Sequence, residues 1–358
     1  MTDLTTTERD WPFSRPELMA GLRRYLADSS LRLLEITPML LPDTMPGASY
    51  TTSGTKLSGM SVDVLIDGEA HNLPLLLKEP PVSSSGRVLL AVGQREYGVY
   101  RRLAPHLPLL VPGLVAGDEA GGWVVLEVLT GLRAAPQWTV DDYDEAITNL
   151  VAMHDRFWEL SEDLATFPWL ARPLDADYNL TIMAAVDAVQ GLMVDNRLPQ
   201  LSEPRYHTLF SRLTQSADAI TAPLRAEAST LVHGDYWPGN IARPLDGRQI
   251  VFDWQLAGIG PAILDLVGFV QATRMKLTPA MPVSEMIALY RRKADDLINP
   301  GWTDDRFNLL WDHALMWLFT VNWLGKLATI SAESYSQIHD SLSEVWLDEL
   351  FAVVERRL

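Results

Sequence analysis

The stretch that decides the fold is residues 231–240, LVHGDYWPGN, together with residues 249–254, QIVFDW, which follow after a short polar break. The apolar runs in both pieces indicate short buried strands, and an Asp-Gly pair in the break predicts a hairpin turn between them. The polar side chains then stand at strand ends or turns, so that Asp235, Asn240 and Asp253 would gather around a small volume. Their oxygens suit Mg²⁺, which is usually held by one or two carboxylates together with substrate phosphates.

The order of these three residues is the one by which kinases place a base, a metal-binding Asn and a metal-binding Asp. Four residues separate Asp235 from Asn240, and Asp253 follows an apolar strand. In residue types, positions 233–240 and 252–254 resemble the aminoglycoside phosphotransferase family and its choline-kinase-like and ecdysteroid-kinase-like relatives. These are small-molecule kinases with a protein-kinase-like fold. The resemblance implies that Asp235 is the catalytic residue and that Asn240 and Asp253 bind Mg²⁺.

This stretch has two other interpretations, local hydrogen bonding and a metallophosphatase site. Asp and Asn at turns often serve local hydrogen bonds alone. A metallophosphatase could also use His, Asp and Asn, but no second cluster of His ligands follows Asp253, and His313 and His339 stand alone on helical patterns. The kinase interpretation therefore explains the three residues best.

Composition describes an ordinary globular protein. With 358 residues, 47% of them hydrophobic, the chain can bury a sizeable core as one two-lobed unit or two domains. The absence of cysteine excludes disulfides, thiol catalysis and cysteine-ligated zinc, and is compatible with the cytoplasmic location that we expect. Residues 1–8 lack the features of a secretion signal, and the apolar segment 314–327 is interrupted by Asn322 and Lys326, so neither export nor a membrane span is expected.

The net charge of -17 disfavours a nucleic-acid partner, because phosphate backbones are bound mainly through clustered Lys and Arg. The charge does not disfavour ATP, the expected cofactor, since one nucleotide needs only a lysine, backbone amides and Mg²⁺. An acidic surface also attracts cationic co-substrates. The resemblance implies a small-molecule partner with a hydroxyl group, and a positive charge on it would suit the acidic surface.

The residue pattern of the N-terminal part predicts a small sheet with helices. Apolar residues at helical spacing indicate an opening helix within residues 16–26, and residues 31–41 indicate a strand. A hairpin is predicted at Asp67-Gly68, between strands over 60–66 and 73–78.

The loop between the predicted strands 31–41 and 60–66 is a candidate for covering the nucleotide phosphates. Residues 49–59 are rich in Gly, Ser and Thr, and backbone N–H groups near Ser53 and Gly54 could contact phosphates. An ordinary solvated loop is the alternative, because Gly54 and Gly59 match neither the G-x-G-x-x-G nor the Walker A pattern.

Lys78 closes an apolar strand, and such a lysine often merely returns the chain to solvent. In a kinase the strand lysine instead reaches the nucleotide phosphates and is held by a glutamate from the next helix. Glu96, on a helical pattern eighteen residues beyond Lys78, is the candidate partner. The resemblance supports the pair, because the family's Glu-x-x-x-Tyr-x-x-Leu run matches Glu96, Tyr100 and Leu103. A surface charge on the helix is the alternative for Glu96.

Residues 122–131 form one more strand that runs into a glycine break, and they resemble the family's link between lobes. There the adenine is held by main-chain groups. The resemblance therefore implies nucleotide contacts from the backbone near Glu127 and Leu129, whatever their side chains do. An ordinary edge strand is the alternative.

The remaining chain is mainly helical in pattern. The run Gly-Pro-x-x-x-Asp-Leu over 260–266 resembles the family, and implies that Asp265 braces the catalytic loop by hydrogen bonds. His154 is interpreted as structural. No Ala-Pro-Glu segment follows Asp253, so a protein substrate is not expected.

Twelve tryptophans raise the further hypothesis of an aromatic cage for a quaternary ammonium group. Trp254, Trp317 and Trp323 are the possible walls of such a cage. Most tryptophans are core residues, which is the alternative for all three.

Together these patterns predict an α+β, bilobal protein-kinase-like fold. Residues 1–130 would form a nucleotide-binding lobe with a small mixed sheet, and residues 131–358 a mainly helical lobe with the catalytic loop and the substrate pocket. The predicted function is ATP-dependent transfer of the γ-phosphoryl group to a hydroxyl of a small molecule. A nucleotide-binding pseudokinase or scaffold is the alternative, disfavoured by the presence of Lys78 and the three site residues. Aminoglycosides, amino alcohols, sugars, amino acids and sterol-like alcohols all remain open as acceptors.

Overall fold

The computed structural model describes residues 10–41, 55–81, 91–195, 198–245 and 247–358. Its strands are β1 (Arg32–Met39), β2 (Lys56–Ile66), β3 (Glu69–Glu79), β4 (Leu114–Gly117), β5 (Val124–Glu127), β6 (Leu132–Arg133), β7 (Ser229–Val232), β8 (Ile241–Pro244), β9 (Ile250–Val251) and β10 (Gly258–Pro261). Its α-helices are α1 (Arg15–Tyr25), α2 (Val92–Gly98), α3 (Val140–Arg156), α4 (Ser161–Ala165), α5 (Tyr178–Asp195), α6 (Pro204–Gln215), α7 (Ala217–Arg225), α8 (Ile263–Lys276), α9 (Val283–Leu297), α10 (Asp304–Asn322), α11 (Leu324–Thr329), α12 (Ala332–Leu342) and α13 (Asp348–Arg357). Two π-helical turns, Val99–Leu103 and Ser343–Leu347, continue α2 and α12.

The N-terminal sheet has the strand order β1-β2-β3-β5-β4. The predicted hairpin is present: β2 and β3 turn at Asp67 and Gly68, whose φ angles of 50° and 86° suit a tight hairpin turn. Each pairing described in this sheet is antiparallel, which corrects the mixed sheet expected from sequence. The connection through α2 and β4 reverses the chain once more before β5 joins β3, so no parallel pair arises.

Helix α1, the predicted opening helix, covers one face of this sheet. Ser14 caps it, with Glu17 completing a capping box. Its buried Leu18 and Leu22 pack in one cluster with Leu75 and Leu77 of β3. Because side chains alternate along a strand, Lys78 points to the opposite face, away from α1.

The C-terminal part is mainly helical and holds the larger hydrophobic cluster. Helix α3 is capped by Thr139, whose side chain and that of Asp142 bond each other's backbone N–H groups. Helices α8 and α10 are buried along most of their length. Among the described residues, no helix combines the length and the apolar composition that crossing a bilayer requires.

The strands around the quoted stretch pair differently from the sequence prediction. β7, which contains Leu231 and Val232, pairs with β10, and β9 pairs with β8. A hairpin does join β8 to β9, although Asp246 of its predicted turn lies outside the described residues. The expected partner was wrong because β8, with Arg243 and Pro244 among its four residues, lacks the apolar pattern of a buried strand.

Candidate active site

The loop between β7 and β8, residues 233–240, is held by one buried carboxylate. Asp265, in the first turn of α8, accepts hydrogen bonds from the backbone N–H of His233 (2.7 Å) and of Gly234 (2.9 Å). Gly234 has φ +80°, and a Cβ there would lie 2.4 Å from the carbonyl oxygen of Leu256, so glycine is required. The bracing role predicted for Asp265 is therefore visible as two hydrogen bonds.

The His233 side chain ties this loop to the strand that precedes Asp253. Its Nδ1 accepts from the backbone N–H of Asp235 (3.2 Å), and its Nε2 donates to the carbonyl oxygen of Phe252 (3.1 Å). Burial lowers the pKa of His233, and nearby carboxylates, with Asp265 the strongest, act in the opposite direction. A neutral ring, protonated on Nε2, satisfies both hydrogen bonds.

His154 forms the next layer behind the loop. The ring is fully buried, with Nε2 3.3 Å from Asp265 and Nδ1 2.7 Å from the hydroxyl of Tyr290. These contacts orient the carboxylate that holds the loop, which agrees with the structural role predicted for His154.

Asn240 orients Asp235. The Nδ2 group of Asn240 donates to both the backbone oxygen (2.8 Å) and Oδ2 (2.9 Å) of Asp235, which leaves Oδ1 of that carboxylate available. The backbone oxygen of Asn240 accepts from Phe252 N–H (3.0 Å), so Asn240 lies beside the residue that precedes Asp253. Asp235 and Asn240 are thus in direct contact, and Asp253 follows directly after the residue that bonds to Asn240.

Lys78 joins the N-terminal sheet to this centre. Its Nζ lies 2.8 Å from the Glu96 carboxylate and 2.5 Å from Oδ1 of Asp253. Lys78 and Glu96 are both buried. Burial alone would lower the pKa of Lys78, but the Asp253 and Glu96 carboxylates outweigh it and the pKa is raised, so the amine is charged. The Lys78–Glu96 pair predicted from sequence is therefore formed.

Asp253 has a strained backbone at this junction. Its φ of 67° and ψ of 55° are left-handed, which is uncommon for a residue other than glycine. The hydroxyl of Tyr100 accepts from the Asp253 N–H (3.3 Å) and lies 3.5 Å from Glu96. Tyr100 stands on the π-helical turn after α2, a feature frequently found at functional sites. Sequence matching singled out Tyr100 but predicted no role for it.

Arg95 fastens α2 to the segment that follows Asp253. Its guanidinium donates to the carbonyl oxygens of Gln255 (2.7 Å) and Trp169 (3.1 Å), and burial lowers the pKa of Arg95 to about 10. The contact keeps Glu96, the next residue, facing Lys78. Sequence reasoning missed Arg95, because a charged residue on a short helix carries no local signal of burial.

The other residues predicted to contact the nucleotide are Ser53, Gly54, Glu127 and Leu129. Ser53 and Gly54 lie outside the described residues. The N–H of Glu127 already donates to Gly113 (3.1 Å), and its carboxylate accepts from Tyr25 and Gly113. Within the described chain Leu129 makes no backbone hydrogen bond. Its backbone groups, unlike the N–H of Glu127, are therefore not engaged by another described residue.

The tryptophans proposed as cage walls are buried. Trp254 lies under the catalytic loop, with its ring centroid 4.5 Å from that of His233, and Trp317 stacks on Tyr178. Trp323 is 9% exposed and carries Lys326 over its ring. The cage hypothesis is therefore wrong for these residues, which serve as core.

The oxygens present fit Mg²⁺. In the described part of the chain, Oδ1 of Asn240 and Oδ2 of Asp253 have no hydrogen-bond partner. No group of three or more His, Cys, Asp or Glu there could hold a metal by itself. An amide oxygen and one carboxylate match the site of a magnesium ion that takes its remaining ligands from phosphates and water.

Comparison with known proteins agrees with this geometry. The chain resembles the solved choline kinase of Cryptosporidium parvum (TM-score 0.55, 11% identity, 92% of this chain and 91% of that chain). It also resembles the ethanolamine kinase of Plasmodium vivax (0.54, 11%, 83% and 83%) and the choline kinase LicA of Streptococcus pneumoniae (0.51, 11%, 92% and 97%). At such low sequence identities the structural similarity shows the fold alone. The predicted bilobal, protein-kinase-like α+β fold is confirmed.

The family itself is shown by sequence. No curated protein matches the chain significantly. A sequence profile of the phosphotransferase enzyme family (APH) matches residues 58–302, a span that contains Lys78, Glu96 and the whole loop from His233 to Asp253. The chain therefore belongs to the phosphotransferase enzyme family.

Proposed function

We propose that this protein transfers the γ-phosphoryl group of ATP to a hydroxyl of a small molecule. The observation that carries the proposal is the contact of 2.5 Å between Lys78 and Asp253, which joins a strand lysine of the sheet to the segment beside the loop that bears Asp235 and Asn240. Family membership supports phosphotransfer. The nucleotide-binding part would be residues 1–130, and residues 131–358 would supply the catalytic loop and the acceptor pocket.

The binding roles follow from which atoms remain available. Lys78, held by Glu96, would bind the phosphates, and the backbone near Leu129 would meet the adenine. Asn240 and Asp253 would hold Mg²⁺, which neutralises phosphate charge during transfer. The use of ATP and the absence of cysteine fit a cytoplasmic location.

Asp235 would serve the acceptor. The hydroxyl oxygen forms a bond to the γ-phosphorus while the bond from that phosphorus to the β–γ bridging oxygen breaks. The hydroxyl proton passes to Oδ1 of Asp235, because Asn240 occupies Oδ2. The products are a phosphate monoester and ADP. Since phosphoryl transfer needs little covalent chemistry from the protein, positioning is the main task of these residues.

The test is magnesium-dependent transfer of labelled γ-phosphate from ATP, and separately from GTP, to a panel of amino alcohols, sugars, hydroxy acids and aminoglycosides. Phosphate ester formation with at least one acceptor supports the proposal. Nucleotide binding with no transfer to any acceptor favours the alternative, a pseudokinase or scaffold.

A further inference from the structure

A lysine that the proposed function leaves without a role contacts the loop at residues 233–240. Lys276 is the last residue of α8, the helix whose first turn carries Asp265. Its Nζ lies 3.8 Å from the ring centroid of Trp237, two residues beyond Asp235. The Trp237 ring also packs against Gly239, where a Cβ would lie 2.1 Å from it. One helix therefore braces the loop at its start and reaches over it at its end.

The ammonium of Lys276 lies within the electrostatic reach of Asp235. Surrounding protein atoms lower the pKa of Lys276, and the Asp235 carboxylate acts in the opposite direction. The carboxylates that raise the pKa of Lys78 are instead those of Asp253 and Glu96. Each lysine thus has its own acidic neighbours, and Lys276 lies on the side of the loop that bears Trp237.

The side chain of Lys276 is also exposed to solvent, so a bound molecule can reach it. An acceptor whose hydroxyl approaches Asp235 from that side would meet a positive charge beside the reacting atom. A cationic acceptor would be repelled there. The net charge of -17 acts over the whole surface and is screened by salt, whereas this ammonium would act at contact distance.

We propose that Lys276 binds an anionic group of the acceptor, so that the substrate is a hydroxyl compound bearing a carboxylate or a phosphate. This inference rests on the proposed function and assigns a substrate class to the same site. It replaces the cationic acceptor that the overall charge suggested. The catalytic roles of Asp235, Asn240 and Asp253 are unchanged by it.

The experiment compares short hydroxyl compounds whose other end is anionic, neutral or cationic. A matched set is 3-hydroxypropionate, 3-hydroxypropyl phosphate, 1,3-propanediol and 3-aminopropan-1-ol, extended by larger hydroxy acids, diols and amino alcohols. Transfer of labelled phosphate gives kcat/KM for each, with wild type, Lys276→Met and Lys276→Glu. The control is Lys293→Met, since Lys293 pairs with Asp144 on α3. Calorimetry measures Mg-ATP binding in every variant.

We expect wild type to prefer the anionic acceptors, with the carboxylate and phosphate arms showing which anion fits. Lys276→Met should lower kcat/KM for anionic acceptors by about 30-fold or more, mainly through KM, and leave neutral acceptors and Mg-ATP binding unchanged. Lys276→Glu should move the preference toward amino alcohols, which a purely structural lysine would not do.

Other outcomes overturn the inference in recognisable ways. A wild-type preference for cationic acceptors, or an equal loss for all acceptors in Lys276→Met, would show that Lys276 does not read the acceptor's charge while leaving the kinase assignment standing. Absence of transfer to every acceptor, with Mg-ATP still bound, would overturn the proposed function itself.

Discussion

The ammonium of Lys78 lies 2.5 Å from Oδ1 of Asp253, although 175 positions separate the two residues in the chain. Lys78 comes from the sheet and Asp253 from the segment after β9, so the contact connects the N-terminal sheet to the segment beside the loop at residues 233–240. Glu96 holds Lys78 from the other side. The predictions below follow from this arrangement.

Replacing Lys78 by Met should weaken both nucleotide binding and the fold. Removing one member of a buried ion pair leaves an uncompensated charge, which typically costs about 3–5 kcal/mol of stability. We expect Mg-ATP binding to fall by at least about 100-fold and the free energy of unfolding to drop, measured by calorimetry and urea titration.

Lys56 is the matched control for Lys78. It pairs with Glu79 at 2.7 Å, but its side chain is 60% exposed. Exposed pairs contribute at most about 1 kcal/mol, so Lys56→Met should change neither measurement much. Equal effects of the two substitutions would contradict the role given to Lys78.

Replacing Asp235 by Asn should abolish most turnover while preserving nucleotide binding. The amide cannot take the hydroxyl proton, and general-base contributions are typically about 100-fold to 10,000-fold in rate. Asp253→Ala should weaken Mg-ATP binding as well, because it removes the carboxylate proposed to hold the ion and a partner of Lys78. Transfer near the wild-type level in Asp235→Asn would remove the base assignment.

Replacing Arg95 by Met should loosen α2. Two hydrogen bonds from a charged donor are lost, each worth about 1.5–3 kcal/mol, and Glu96 is then less firmly placed. We expect a lower melting temperature and a higher KM for ATP, with partial recovery in Arg95→Lys. Arg102, exposed on the following turn, is the control, and Arg102→Met should behave as wild type.

The carboxylate of Asp142 should make stability depend on acid pH. Burial alone would raise the pKa of Asp142, but hydrogen bonds from Thr139, Arg133 and Arg243 outweigh it, so the pKa is lowered. The unfolded chain, with a pKa of about 3.9, then binds the proton more readily, so this contribution is present above about pH 4 and disappears as pH falls through the folded-state value.

The corresponding measurement is the free energy of unfolding of wild type and Asp142→Asn between pH 7 and pH 3. The difference should be largest at neutral pH and shrink as the solution is acidified below about pH 4. A difference that stays constant over the whole range would show that Asp142 does not contribute as a buried carboxylate.

Local patterns were sufficient for several parts of the fold. The opening helix within residues 16–26 and the hairpin at Asp67-Gly68 depend on neighbouring residues, and both were predicted correctly. The pairing of Lys78 with Glu96 was also predicted, because a resemblance to known kinases supplied a long-range relation that spacing alone does not contain.

Other relations depend on surfaces that are distant in the chain. The strand partner of β7 was predicted wrongly, because the apolar pattern of a short strand does not name the strand it will join. The hydrogen bonds of Arg95 and Tyr100 were not predicted. The local sequence around each residue is the same as that of an Arg or Tyr on a solvent-exposed helix.

The sequence by itself determined the chemistry available to this protein: two carboxylates and an amide in kinase order, a strand lysine and no cysteine. Tertiary structure decided how that chemistry is deployed, placing Lys78 against Asp253 and Lys276 over Trp237 beside Asp235. The physical reason is that a charged side chain acquires its role from the charges and the solvent exposure around it, and both are set by packing between parts of the chain that the local pattern does not connect.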